Sequence, residues 1–373
     1  MRFLFCAFIF MSIFVATMSS LQPSLWKRLL LYLPSQLFGG ISWLRNKAFD
    51  SHLLATKQFD IPTICIGNIS VGGTGKTPHT EYIIRLLLGK KQLAVLSRGY
   101  KRKTSGFVLA DGSDTAQTIG DEPFQMQRKF PEVTVAVDEK RVHGIEQLLT
   151  LPAPPEVILL DDAFQHRHVT PSFSVVLVDY NRPIHTDTYL PLGRLRESAK
   201  GIHRAHCVII TKCPTDEKIN ETAWRKALHL SPNQSLFFST FAYETPKPLF
   251  NGAPLVWKEH GAQKPHVLVV TGIVSATGLY NYIAPFADTL HTLPFGDHHD
   301  FTKADLETIS NAFDRLPEPK LIITTEKDAA RLLHNPSIPA ALKPFLYAVG
   351  IQVTFVDNTH NTFDDLILDN LLP

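Results

Sequence analysis

Eight consecutive residues, Ser70-Val71-Gly72-Gly73-Thr74-Gly75-Lys76-Thr77, bring together what a polyphosphate ligand requires. Gly72, Gly73 and Gly75, with Thr74 among them, let backbone N–H groups close around phosphate oxygens. Lys76 neutralises charge and the Thr77 hydroxyl can hold Mg²⁺. An apolar run, Ile61–Ile66, precedes the loop, and the helix-periodic residues Tyr82, Ile83, Leu86 and Leu87 follow it. Ser70 stands where such loops usually open with glycine. A glycine-rich structural turn is the alternative, but strand before, helix after and a Gly-Lys-Thr ending favour a nucleotide loop. Such a loop also needs an acid at the end of a neighbouring apolar strand to hold the metal or its water. Val157-Ile-Leu-Leu-Asp161-Asp162 supplies two, which could otherwise cap a helix.

The elements that must position these groups are legible as short apolar, β-branched runs: Ile61–Ile66, Leu93–Ser97, Val133–Val137, Val157–Leu160, Val175–Asp179 and Cys207–Thr211. Most are apolar at consecutive positions, as expected of strands covered on both faces. Helical stretches between them imply right-handed crossovers. The fold class expected is α/β, a P-loop-type parallel sheet with helices on both faces. Prolines and Asn251-Gly252 around one apolar run, Ser235–Tyr243, mark residues 216–262 as a linker with its own strand pairing. A second, smaller α/β lobe over 263–373 follows, with strands at His266–Thr271, Thr289–Pro294 and Leu321–Thr325, a helical stretch near Ser275–Asp288 and a helix from Thr302 to Phe313. The domains expected are 1–55, 56–215, 216–262 and 263–373, with a cleft between the two lobes.

The 37 Lys and Arg nearly balance the 35 Asp and Glu, which argues against a nucleic-acid-coating protein. Cys6, Cys65, Cys207 and Cys213 show no metal-ligand spacing and imply no disulfide framework; Cys65 and Cys207 read as buried small residues. Residues 1–49 carry five basic side chains (Arg2, Lys27, Arg28, Arg45, Lys47) and no acidic one, the balance of a segment facing anionic lipid. Phe3–Val15 is apolar but shorter than a membrane span. It fits a signal-peptide core, although a nucleotide site argues against export, and Met18 could be the true start. From Ser24 to Leu54, leucines and tryptophans interrupted by Pro34 and Gly39-Gly40 suit a helix pair in the lipid interface; two ordinary packing helices are the alternative.

Several motifs occur in order: Gly67-Asn-Ile-Ser-Val-Gly-Gly-Thr-Gly-Lys-Thr-Pro78, Leu96-Ser-Arg-Gly-Tyr100, Gly120-Asp-Glu-Pro123, Asp161-Asp-Ala-Phe-Gln-His166, Leu190-Pro-Leu-Gly-Arg-Leu-Arg-Glu197, Asp297-His298 and Thr325-Glu-Lys-Asp-Ala329. Together they resemble the tetraacyldisaccharide 4'-kinase family of lipid A biosynthesis. The resemblance implies transfer of the γ-phosphate of ATP, with Mg²⁺, to the 4'-hydroxyl of an acylated glucosamine disaccharide. It places the reaction at the cytoplasmic face of the bacterial inner membrane, on a peripheral or singly anchored protein, and no obligate protein partner is expected. It also implies an Asp121–His298 pair as base, Arg196 for transition-state charge and Glu197 for metal organisation. Glu122 is expected to order the metal or Asp121. Arg98, Asn68 and Gln165 are candidates for substrate contact, a structural salt bridge being the alternative for Arg98. Glu326, Lys327 and Asp328 either bind substrate or cap the next helix. Ala163 and Arg194 stand where the family usually has glycine and proline. A P-loop GTPase or metal-chaperone switch is the other reading, but the nearest guanine-reading segment, Thr211-Lys-Cys-Pro214, lacks the aspartate. A soluble small-molecule kinase would not need the basic, aromatic amino-terminal segment.

Overall fold

The computed structural model describes residues 25–250, 255, 264–273, 275–297, 299–333, 335–356 and 360–371. The apolar run Phe3–Val15, with Cys6, and His298 therefore lie outside the described residues. The chain divides into two compact units: Met1–Lys76 with Val157–Thr240 and Phe355–Pro373, and Thr77–Glu156 with Phe241–Thr354.

The first unit opens with helix α1 (Leu25–Asp50) and strand β1 (Thr63–Asn68). Helix α2 (Lys76–Leu87) follows the glycine loop and carries the chain into the second unit. β1 runs parallel between β5 (Val157–Asp161) and β6 (Phe173–Asp179); β7 (Cys207–Thr211) extends the sheet beyond β6. Every residue of these four strands is buried, which is why their apolar residues are consecutive rather than alternating. The strand expected within 216–262 forms as β8 (Ser235–Tyr243) and pairs in parallel with β7. Cys65, Cys207 and Cys213 are buried free thiols; burial pushes the Cys213 thiol up to about 12, outside the reactive range.

α1 corrects the expectation of a helix pair, because it runs unbroken through Pro34 and Gly39-Gly40. A proline removes one intrahelical bond, a cost that packing can offset. At Gly39 a Cβ would come within 2.5 Å of the Tyr189 ring, so glycine here permits close approach rather than a break.

In the second unit, β2 (Leu93–Ser97) pairs in parallel with β4 (Thr134–Val137), and the two-residue β3 (Val108–Leu109) pairs antiparallel to β4. Helices α3 (Asp121–Lys129) and α4 (Arg141–Leu149) flank β4 in sequence. α5 (Glu221–Ala227) lies in the first unit, between β7 and β8. A five-stranded sheet has the order β11-β10-β12-β13-β9, with β9 (Lys247–Pro248), β10 (His266–Thr271), β11 (Thr289–Pro294), β12 (Lys320–Thr325) and β13 (Leu346–Val349). All pairs are parallel except β13 with β9. Its helices are α6 (Thr277–Ile283), α7 (Lys303–Asp314) and α8 (Glu326–Leu332). Leu306, Ile309 and Phe313 of α7 pack on Leu268 and Ile322 of the sheet. After β14 (Ile351–Phe355), α9 (His360–Asp369) returns to the first unit, where Phe363 meets Phe237 and Phe355 at ring separations of 5.3 and 4.7 Å.

Candidate active site

The glycine loop leaves the carboxyl end of β1, where α/β sheets bind ligands. Gly72 (φ 114°) and Gly75 (φ 90°) adopt backbone conformations that side chains disfavour, and a Cβ on Gly73 would meet nothing within 4 Å. The loop is held from three sides. Asn68 Nδ2 donates to Thr74 Oγ1 (2.9 Å), the Thr211 hydroxyl at the end of β7 donates to the Thr74 carbonyl (2.9 Å), and Val71 N–H donates to the Arg194 carbonyl (2.8 Å). Arg194 N–H also bonds Asp187 Oδ1 (3.2 Å), which a proline at this position could not do.

Beside the loop, Asp162 sits just past β5 with φ 46°. Aspartate tolerates this left-handed conformation better than most residues, and such outliers concentrate at functional sites. Lys76 Nζ lies 3.6 Å from its Oδ2 and Arg196 Nη1 lies 2.8 Å from its Oδ1. Two cations thus converge on one carboxylate at the mouth of a glycine loop, an arrangement suited to a ligand carrying both phosphate and metal. Asp161, the last residue of β5, is buried behind it. The carboxylates Asp161 and Asp162 and the Thr77 hydroxyl are hard oxygen donors of the kind Mg²⁺ accepts. Among the described residues no three His, Cys, Asp or Glu side chains gather as a metal cluster. A Mg²⁺ bound mainly through substrate phosphates needs only one or two protein carboxylates.

Glu197 is 2% exposed, and Arg204 Nη2 contacts both of its oxygens at 2.8 Å. Asn46 (2.8 Å) and Gln165 (3.0 Å) also donate to it. Gln165 in turn donates to the Asn68 carbonyl (2.7 Å), and Arg196 N–H donates to the Ile69 carbonyl (2.8 Å). Asn68, Gln165, Arg196 and Glu197 are therefore brought together in one network around the loop. The sequence carried no signal for Arg204 or Asn46, whose roles depend on partners 7 and 151 positions away.

In the second unit, Asp121 and Glu122 form the first turn of α3, where negative charge is favoured by the helix dipole. A Cβ on Gly120 would lie 3.1 Å from the Gly99 backbone, so the Arg98-Gly99-Tyr100 turn after β2 approaches the start of α3. Asp121 is paired with Arg331 of α8. His299 is occupied structurally: its Nε2 lies 2.9 Å from Asp305 Oδ2, and its ring stacks on Phe295 at 4.8 Å. Glu326 pairs with Lys129 (2.8 Å) and Lys327 with Asp297 (3.4 Å). Thr325 and Asp328 cap α8 reciprocally, at 2.8 and 3.1 Å.

Residues 27–371 match the family described as Tetraacyldisaccharide-1-P 4'-kinase. The chain is 49% identical over 343 residues to the "Tetraacyldisaccharide 4'-kinase" of Phocaeicola vulgatus, covering 91% of this chain and 94% of that protein. It is 43% identical to the protein of the same name from Flavobacterium johnsoniae, covering 90% and 96%. This chain belongs to the tetraacyldisaccharide 4'-kinase family. Its fold matches the crystal structure of LpxK from Aquifex aeolicus in complex with ATP, with a TM-score of 0.71 at 26% identity, covering 92% of this chain and 99% of that one. In this 4'-kinase family member the nucleotide-side candidates lie largely on the first unit, while Arg98, Asp121 and Glu122 lie on the second.

Proposed function

We propose that this chain transfers the γ-phosphate of ATP to the 4'-hydroxyl of a tetraacyldisaccharide 1-phosphate. The reading is carried by the convergence of Lys76 and Arg196 on Asp162 beside the glycine loop, in a chain whose relatives bear that activity in their names. Phosphoryl transfer asks a protein for positioning and charge neutralisation rather than covalent chemistry. Backbone N–H groups of residues 72–77 and Lys76 hold the phosphates, and Arg196 offsets charge developing on the transferred group. Thr77 and Asp161 or Asp162 would hold Mg²⁺, which would supply charge neutralisation for the phosphates. Glu197, gripped by Arg204, Asn46 and Gln165, sets the loop from behind and orders the metal side indirectly. On the acceptor side, Asp121 orients His298, whose imidazole removes the hydroxyl proton; Glu122 supports Asp121, and Arg98 contacts acceptor or phosphate.

α1 supports a membrane-surface setting. Ser35, Ser42, Arg45 and Asn46 turn inward to bond Tyr189, Arg196, Gln165 and Glu197. Leu29, Leu30, Leu33, Leu37 and Leu44 turn outward, Leu30 and Leu33 being 77% and 75% exposed. Phe38 and Phe49 face the protein with these polar groups while the leucines form an exposed apolar stripe, the pattern of a helix lying in a lipid interface. No described helix is long and apolar enough to cross a membrane. The protein acts at the cytoplasmic face of the inner membrane, where ATP and the lipid meet.

The decisive assay supplies [γ-³²P]ATP, Mg²⁺ and a tetraacyldisaccharide 1-phosphate in detergent micelles; folded protein that labels no lipid refutes the proposal. Competition by excess unlabelled ATP but not GTP separates a kinase from a GTPase switch. In vesicle flotation, Leu33→Glu with Leu37→Glu should release the protein from anionic liposomes, and undiminished flotation would remove α1 from the membrane contact.

A further inference from the structure

α3 and α8 lie against each other in the second unit and are tied at both ends. Lys129 of α3 bonds Glu326 at 2.8 Å, and at the opposite end Arg331 reaches Asp121. The second tie is the more specific. Arg331 Nε lies 3.2 Å from Asp121 Oδ1 while Nη2 donates to Oδ2, so one planar fork grips both oxygens. The guanidinium is itself fixed. Its side chain is only 5% exposed, and its Nη1 lies 3.5 Å from Asp328 Oδ1. Asp328 Oδ2 in turn accepts from Gly272 N–H (2.9 Å) and the Thr325 hydroxyl (2.8 Å). Burial works against charge on Arg331, but Asp121, Asp328 and Asp300 outweigh it and hold the group above its ordinary range, so it stays cationic.

We propose that Arg331 is a positioning residue for phosphoryl transfer, holding the Asp121 carboxylate in one orientation while leaving it able to accept a further hydrogen bond. Each carboxylate oxygen has two lone-pair directions, so a bidentate fork does not exhaust the group. Carboxylates that orient a reacting partner lose rate steeply when they swing, a displacement of about 1 Å costing on the order of 10²-fold. Lysine could supply charge at position 331 but as a point donor that cannot fix the carboxylate plane. The inference rests on the role given to Asp121 above.

The test compares wild type, Arg331→Lys, Arg331→Gln, Asp121→Asn and the Asp121→Asn/Arg331→Gln double variant, all full-length in micelles, with kcat and both KM values normalised to folded protein. Arg331→Lys should lose roughly 10- to 100-fold in kcat, with KM for ATP and acceptor little changed. The double variant should be no slower than Asp121→Asn alone, because both changes remove one device. Wild-type kcat in both Arg331 variants beside a slow Asp121→Asn, or losses that simply multiply, overturns the positioning role. A lowered melting temperature with unchanged kcat overturns it too, since that is the signature of a structural staple. If Asp121→Asn itself turns over like wild type, the role of Asp121 fails first and this inference falls with it.

Discussion

Two adjacent histidines illustrate how far residue chemistry alone can be taken. Position 298 is preferred over 299 as the base because the family resemblance places the histidine directly after Asp297. His299 itself is committed to Asp305 and the Phe295 ring. His298→Ala is expected to lower kcat by roughly 10²–10⁴-fold, the usual worth of general acid–base catalysis. His299→Ala should instead lower the melting temperature and leave kcat per folded molecule nearly intact. Reversed outcomes in one kinetic and thermal comparison would exchange the two assignments. Asp162 is singled out by its place after an apolar strand, but its two cationic partners are not legible there, because Lys76 and Arg196 come from chain segments distant in sequence.

At the scale of elements, α2, α3 and α8 share a charged knot. Lys129 bonds Glu81 at 2.9 Å and Glu326 at 2.8 Å, and Glu81 is 1% exposed. Burial raises Glu81 above the ordinary carboxylate range, and the nearby Lys129 charge only partly opposes that. Burial also disfavours the Lys129 charge, yet the two carboxylates more than compensate and Lys129 ends raised. The two shifts point opposite ways for the stability of the ion pair. The charge on Lys129 is held by Glu81 and Glu326 together. Lys129→Met takes the nearer cation from buried Glu81, leaving it Arg85 at 3.2 Å and Gln125 at 2.8 Å, and should cost about 3 kcal/mol at pH 7. The sign with pH follows from Glu81: its folded proton affinity exceeds its unfolded one, so protonation relieves the buried charge and the deficit should shrink as pH falls toward 4. Chemical denaturation of wild type and variant at pH 7 and pH 4.5 measures this, and a deficit that grows on acidification would contradict it. Element positions themselves were largely readable: Leu93–Ser97, Cys207–Thr211, Ser235–Tyr243, His266–Thr271 and Thr289–Pro294 form strands with the expected limits. Consecutive apolar residues bounded by turn formers leave little alternative. The expected helix pair differs from the single α1 because Pro34 and Gly39-Gly40 are helix breakers by intrinsic propensity, while docking against Tyr189 selects one unbroken helix. β13 and α9 lie beyond the expected elements: the apolar run of β13 is only four residues long and α9 only ten, too short for periodicity to decide.

For the molecule as a whole, nucleotide binding couples to stability by mass action. At 100 times its dissociation constant, Mg·ATP should stabilise the folded chain by about 2.7 kcal/mol. Lys76→Ala should largely abolish the thermal shift along with turnover, without changing the melting temperature of nucleotide-free protein by more than a few degrees. An undiminished ATP shift in that variant would separate Lys76 from binding. What the residues determined by themselves was local and chemical: the glycine loop over Gly72–Thr77, a carboxylate strand end at Asp161-Asp162, the parallel α/β class and the family. Each is written within a few adjacent positions, where backbone freedom, side-chain charge and apolar periodicity act directly. Tertiary structure alone decided which side chains hold those groups in place: Arg204 and Asn46 on Glu197, Arg331 on Asp121, and the leucine face of α1 turned away from the protein. Such partners come from segments far apart along the chain, and a charge or a leucine reveals its role only when folding sets what lies beside it and how much water remains.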